Sequence, residues 1–156
     1  MRLPGSILQG ILACAALTIL RIYLGLVFLV SAWSKLADSY TPELTRLLEG
    51  AAHPFYQEFA RRVMLPRVAL FAMLIAWSEL LVGTTLVLGL LTRISAALAL
   101  LLAVNFMFAE GGWFWTASSS YAAFAVVALA LLIGAAGRTL GLDVFLAKRW
   151  PRSPFW

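Results

Sequence analysis

Residues 68–109 read VALFAMLIAWSELLVGTTLVLGLLTRISAALALLLAVNFMFA, with only two charged side chains among them, Glu79 and Arg93. About 20 apolar residues in a helix cross the hydrocarbon core of a bilayer. The stretch divides into two spans, Val68–Leu91 and Ile94–Ala109, meeting in a tight hairpin at Leu91-Thr92-Arg93. Both runs are continuously apolar, whereas a barrel strand would alternate. Hydrocarbon offers backbone groups no partner, so each run must be helical. The Thr92 hydroxyl is placed to cap the helix after the hairpin by accepting from a free backbone N–H. That helix is short, and Gly111-Gly112 ends it. Trp113-Phe114-Trp115 then reads as an interfacial aromatic belt.

The same pattern extends in both directions. An apolar run from residue 7 to Trp33 makes a first span, interrupted by Arg21, and a run from Tyr121 to Ala136 makes the last, with Ser118-Ser119-Ser120 at its start. Between the first two spans lie residues 34–67, which hold most of the acidic groups. Thr41-Pro42-Glu43 is a helix start: a capping hydroxyl, proline at the first helical position, then an acid at the positive helix end. Leu44, Leu47, Leu48, Ala51 and Ala52 recur at helical spacing, Pro54 restarts the pattern, and Phe55, Tyr56, Phe59 and Val63 continue it. Residues 42–63 are thus an amphipathic helical pair. It either lies on the headgroups or forms a lid or docking face over the bundle. The expected fold is an all-α integral membrane protein: one domain over 1–156, a four-transmembrane-helix bundle with an amphipathic interfacial helical insert between helices 1 and 2.

Composition agrees. Of 156 residues, 63% are hydrophobic and 12% charged, and the mean hydropathy is +0.93. Soluble domains are about 45–50% apolar and about 25% charged, so a soluble enzyme, a disordered tail and a disulfide scaffold are excluded. The net charge of +5 comes from basic residues set mostly at the ends of apolar runs: Arg67, Arg93, Arg138, Lys148, Arg149, Arg152. That placement fits headgroup anchors and not nucleic-acid binding. Counting Lys and Arg on the two sides favours cytoplasmic termini. The single cysteine, Cys14, and single histidine, His53, cannot build a four-ligand zinc site or a Cys-x-x-Cys pair. His53 precedes Pro54 in a polar stretch and reads as a surface residue rather than a haem ligand, so no metal or haem is expected.

A charge inside the bilayer is costly and turns inward to a partner. Arg21 and Glu79 are the two such charges. Arg21 lies roughly 21 Å before Lys35, and Glu79 roughly 18 Å after Arg67, at 1.5 Å per residue. With Lys35 and Arg67 at one membrane surface, Arg21 and Glu79 share a level and are expected to pair. Asn105, reckoned from Arg93, joins the layer. Lys35 and Tyr23 complete the candidate ligand-binding set. The layer is either a buried ion pair that sets helix register or the lining of a cavity for a polar ligand head or a proton path.

RIYLGLVFLVSAWSKL at 21–36 and ELLVGTTLVLGLLTRISAA at 79–97 resemble the DoxX family of small four-helix membrane proteins: Arg, then Gly and an aromatic, ending in Lys-Leu; then Glu-x-x-x-Gly and Leu-Gly-Leu-x-Thr-Arg. GAAGRTLGLD at 134–143 is similar to the family's ending. The resemblance implies a bacterial-type inner-membrane protein associated with redox chemistry, since relatives include the membrane subunit of a thiosulfate:quinone oxidoreductase and a partner in a thiol-stress complex. On this basis the chain is expected to be an accessory, quinone-interacting or anchoring subunit rather than an enzyme on its own. The expected cofactor is a non-covalent quinone. The expected partners are the lipid bilayer, another membrane or soluble redox protein and a second copy of the chain. The alternatives are a non-catalytic scaffold and a small carrier of a polar metabolite.

Overall fold

The computed structural model describes residues 5–50, 54–113, 120–134 and 141–149. His53, Phe114 and Trp115 of the aromatic belt, Ser118-Ser119, the end of the last span and Arg138 lie outside them.

Four helices form the bundle: α1 (Gly5–Ala37), α4 (Val68–Leu88), α5 (Thr92–Ala109) and α6 (Ser120–Gly134). Two shorter helices, α2 (Thr41–Gly50) and α3 (Pro54–Phe59), lie between α1 and α4, and α7 (Asp143–Arg149) follows α6. The described residues contain no strand. Gln9–Ala37, Pro54–Leu88 and Thr92–Ala109 are long and apolar enough to cross a membrane, and Ser120–Gly134 is a shorter apolar helix. Contacts of α1 with α4, α4 with α5, α5 with α6 and α6 with α1 close the ring. Many apolar side chains point out of it: Trp33 is 75% exposed, Ile133 74% and Val30 71%. In water that surface would be untenable; in lipid it is the outer wall.

Small residues bring the helices together. At the α1–α4 crossing, a Cβ on Gly25 would lie 2.8 Å from Val87 Cγ2, and one on Gly83 would lie 2.8 Å from the Leu29 backbone nitrogen. The two backbones touch there, as small-residue membrane interfaces allow. Between α5 and α6, Ala96 and Ala99 join Ala128 in the buried core. Leu24, Phe28, Val82, Leu86 and Leu131 fill the remaining core.

The insert is a cap on one end of this bundle. Leu44 and Leu48 of α2, with Tyr56, Ala60 and Met64, are buried against Ala72, Ile75, Phe106 and Ala109. Its other face keeps Phe55, Phe59, Arg61 and Arg62 exposed, a composition suited to headgroups. From α3 the chain widens into a π-turn (Ala60–Met64) and tightens into a 3-10 turn (Leu65–Arg67) before α4. Pro66 explains the change of pitch, because it has no N–H and its ring collides with the carbonyl four residues back.

The α4–α5 hairpin closes with Gly89 at φ +64°. Leu90 N–H donates to Thr85 O at 2.9 Å and Gly89 N–H to Leu86 O at 3.2 Å, the Schellman pattern. Contrary to the sequence expectation, Thr92 does not cap α5. Asp143 does: its carboxylate accepts from Leu91 N–H at 2.6 Å and Thr92 N–H at 2.9 Å. The Thr92 hydroxyl is buried without a hydrogen-bond partner among the described residues. A carboxylate beats a hydroxyl here because it takes two orphan donors at once and carries the charge that a helix N-terminus favours.

Candidate functional site

The polar centre of the bundle is built on Glu79, in the middle of α4 and 2% exposed. Its Oε1 accepts from the Lys35 ammonium, and the two form an ion pair. Lys35 also donates to Ser31 Oγ at 2.9 Å, one helical turn back on α1. Its Nζ sits 4.9 Å from the centre of the Tyr40 ring and 4.7 Å from that of Phe106. This is how a lysine is held inside a membrane protein: a carboxylate, a hydroxyl and two π faces replace its water. Burial, reinforced by nearby acids including Glu79 and Glu43, lifts the Tyr40 phenol well above its ordinary range, so it stays neutral.

The second carboxylate oxygen, Glu79 Oε2, is buried and has no hydrogen-bond partner among the described residues. Glu79 borders a partly open cavity of about 410 Å3 lined by residues of α1, α4, α5 and α6. Phe28, Phe106, Tyr121 and Phe124 form its aromatic walls, Ser31 and Ser120 add hydroxyls, and Ala103 leaves the space open. The Phe106 and Tyr121 rings are stacked at 5.1 Å, and Phe124 meets Tyr121 edge-on at 6.2 Å. Glu110, the residue that follows α5, also lines the cavity, and partial burial raises its carboxyl above the usual value. The volume lies within the range of small-molecule sites, about 300–1,000 Å3.

The expected pairing of Arg21 with Glu79 is corrected: Lys35 holds Glu79. Arg21 is buried near the opposite end of α4, where its guanidinium lies against Gly89 and Gly141 and within electrostatic reach of Asp143. The depth count fails because Lys35 does not mark the membrane surface. It lies level with Glu79, roughly 18 Å along α4 from Arg67, and the insert covers that end. Asn105 does not join the ion pair either. It accepts from Tyr56 O–H at 3.0 Å and so ties α3 to α5. Tyr23 is 54% exposed and lines a groove on the outer face of α1 with Leu26 and Val30; Val27 and Ser31 border both this groove and the cavity. Of the five candidates, the structure joins Lys35 and Glu79 and separates the other three.

The aromatic walls and Glu110 were not singled out from sequence. A signal was present: Phe28, Ser31 and Lys35 recur at helical spacing on one face, and Glu110 follows Phe106 by one turn. No curated protein and no solved structure gives a significant match to the chain. The family model for DoxX matches residues 16–111. This span takes in Arg21, Lys35, Glu79 and the α4–α5 hairpin. On that match over most of its length, the chain belongs to the DoxX family.

Proposed function

We propose that this multi-pass DoxX membrane protein is a subunit that binds a quinone or quinol head in the cavity beside Glu79 and works with a redox partner. The observation that carries this reading is the buried Glu79 Oε2, without a hydrogen-bond partner among the described residues, on the wall of an aromatic-lined cavity. An ionised carboxylate oxygen left unsatisfied in a low-dielectric interior is costly; a hydroxyl of a reduced ring would satisfy it. The hydroxyls of Ser120 and Tyr121 are donors available to the carbonyls of an oxidised ring. Phe28, Tyr121 and Phe124 supply aromatic wall surface suited to a flat ring. The groove holding Tyr23 faces lipid next to the cavity, a suitable path for an isoprenoid tail. Lys35 and Glu79 supply the proton inventory, and electrons would pass to or from the partner protein. We place the chain in an inner membrane with cytoplasmic termini and the insert on the opposite side.

The test is the lipid extract of the purified protein. The reading expects quinone near one equivalent in the wild type. Ala103→Leu, which fills the cavity without touching the ion pair, should lower it severalfold while the protein stays folded. Quinone no higher than in an unrelated membrane protein purified from the same cells would contradict the reading.

A further inference from the structure

We propose that the same cavity is a binding site for organic cations of single-ring size, held between the carboxylates of Glu79 and Glu110 and the surrounding aromatic faces. The inference stands on charge and shape, and does not depend on quinone binding.

Among the described residues, two carboxylates border the cavity and no lysine or arginine does. Lys35, beside the cavity, is already committed to Glu79 Oε1, Ser31 Oγ and two rings. It neutralises one carboxylate's worth of charge, so Glu110 leaves the cavity net negative. Glu79 Oε2 remains as a buried acceptor with no partner among the described residues. The walls add to the preference. The face of an aromatic ring is the negative pole of its quadrupole and attracts cations, most strongly where water is excluded. Phe106 already presents one such face to the Lys35 ammonium. Phe28, Tyr121 and Phe124 provide further ring surface around the same space. The combination therefore rejects anions and favours a ligand that is apolar over most of its surface and positive at one end.

Equilibrium binding of benzyltrimethylammonium to the full chain in a non-ionic detergent tests this, with benzyl alcohol and benzenesulfonate as the neutral and anionic comparisons. The cation should bind saturably at one site per chain, at least about tenfold tighter than the alcohol, and the sulfonate should fail to compete. Glu110→Gln, at an exposed position that leaves the core untouched, should weaken the cation about tenfold and leave the alcohol unchanged. Ala103→Leu should abolish both. Equal affinity for cation and alcohol, competition by the sulfonate, or an unchanged cation affinity in Glu110→Gln would overturn the proposal. Quinone absent from the lipid extract would overturn only the redox reading, and the two outcomes are separately read.

Discussion

Lys35 on α1 reaches Glu79 on α4, 44 positions further along the chain, and the pair lies beneath the insert, inside the bundle rather than at its rim. Breaking a buried pair by removing one partner strands a charge and costs about 3–5 kcal/mol, while replacing both with apolar groups costs far less. Lys35→Met and Glu79→Leu should each lower stability by that amount, and the double variant should recover most of it. Reversible unfolding in mixed micelles reads the cycle. Coupling of Glu79 to Arg21 instead would refute the assignment.

Gly89 and Gly141 are fixed by contact. A Cβ on Gly89 would stand 2.6 Å from Arg21 Nη1 and 2.7 Å from Gly141 Cα, and one on Gly141 would stand 2.8 Å from Gly89 O. Gly89 also carries φ +64°, which alone costs a side-chain residue roughly 1–2 kcal/mol. Gly89→Ala should therefore destabilise more than Gly141→Ala, and both more than Gly10→Ala, where nothing lies within 4 Å. Thermal unfolding of the three variants checks the order.

Asp143 fastens the start of α7 to the hairpin. Besides its two carboxylate contacts, Asp143 N–H donates to Gly89 O at 2.9 Å and Leu142 N–H to Leu88 O at 3.2 Å. Asp143→Ala should cost about 1–2 kcal/mol, the upper range for a lost helix cap. Asp143→Asn, which keeps one acceptor, should cost less. Amide exchange at Leu91 and Thr92 should rise in Asp143→Ala and stay near wild type at Ala99.

Tyr56→Phe removes the O–H that α3 gives to Asn105. The account expects a loss of about 1 kcal/mol, expressed locally as faster amide exchange in Pro54–Phe59 with α6 unchanged. Uniform exchange across the bundle would mean that this bond does not hold the cap.

The fold was legible because continuous apolar runs allow one solution in lipid, and the hairpin was legible in Leu-Gly-Leu-x-Thr-Arg. The partner of Glu79 was not. Lys35 falls at the end of an apolar run, where a lysine usually reaches for headgroups, so depth was counted from the wrong anchor. Helical phase carried better information than depth. Arg21, Phe28 and Lys35 are spaced by whole heptads and share the face that meets α4, which requires Lys35 to turn inward. Asp143 as a cap was beyond reach, because it acts on a hairpin fifty residues away and no local pattern encodes that contact.

The space beside Glu79, between α1, α4, α5 and α6, is the proposed ligand site. Photolabelling of the protein in native membranes with an azido-quinone, followed by peptide mapping, tests it most directly. Saturable labelling is expected on the segments that carry Phe28, Phe106 and Tyr121–Phe124, blocked by excess unlabelled quinone and lost in Ala103→Leu. Labelling spread over lipid-facing positions such as Val30, Trp33 and Ile133, or unchanged in Ala103→Leu, would contradict it.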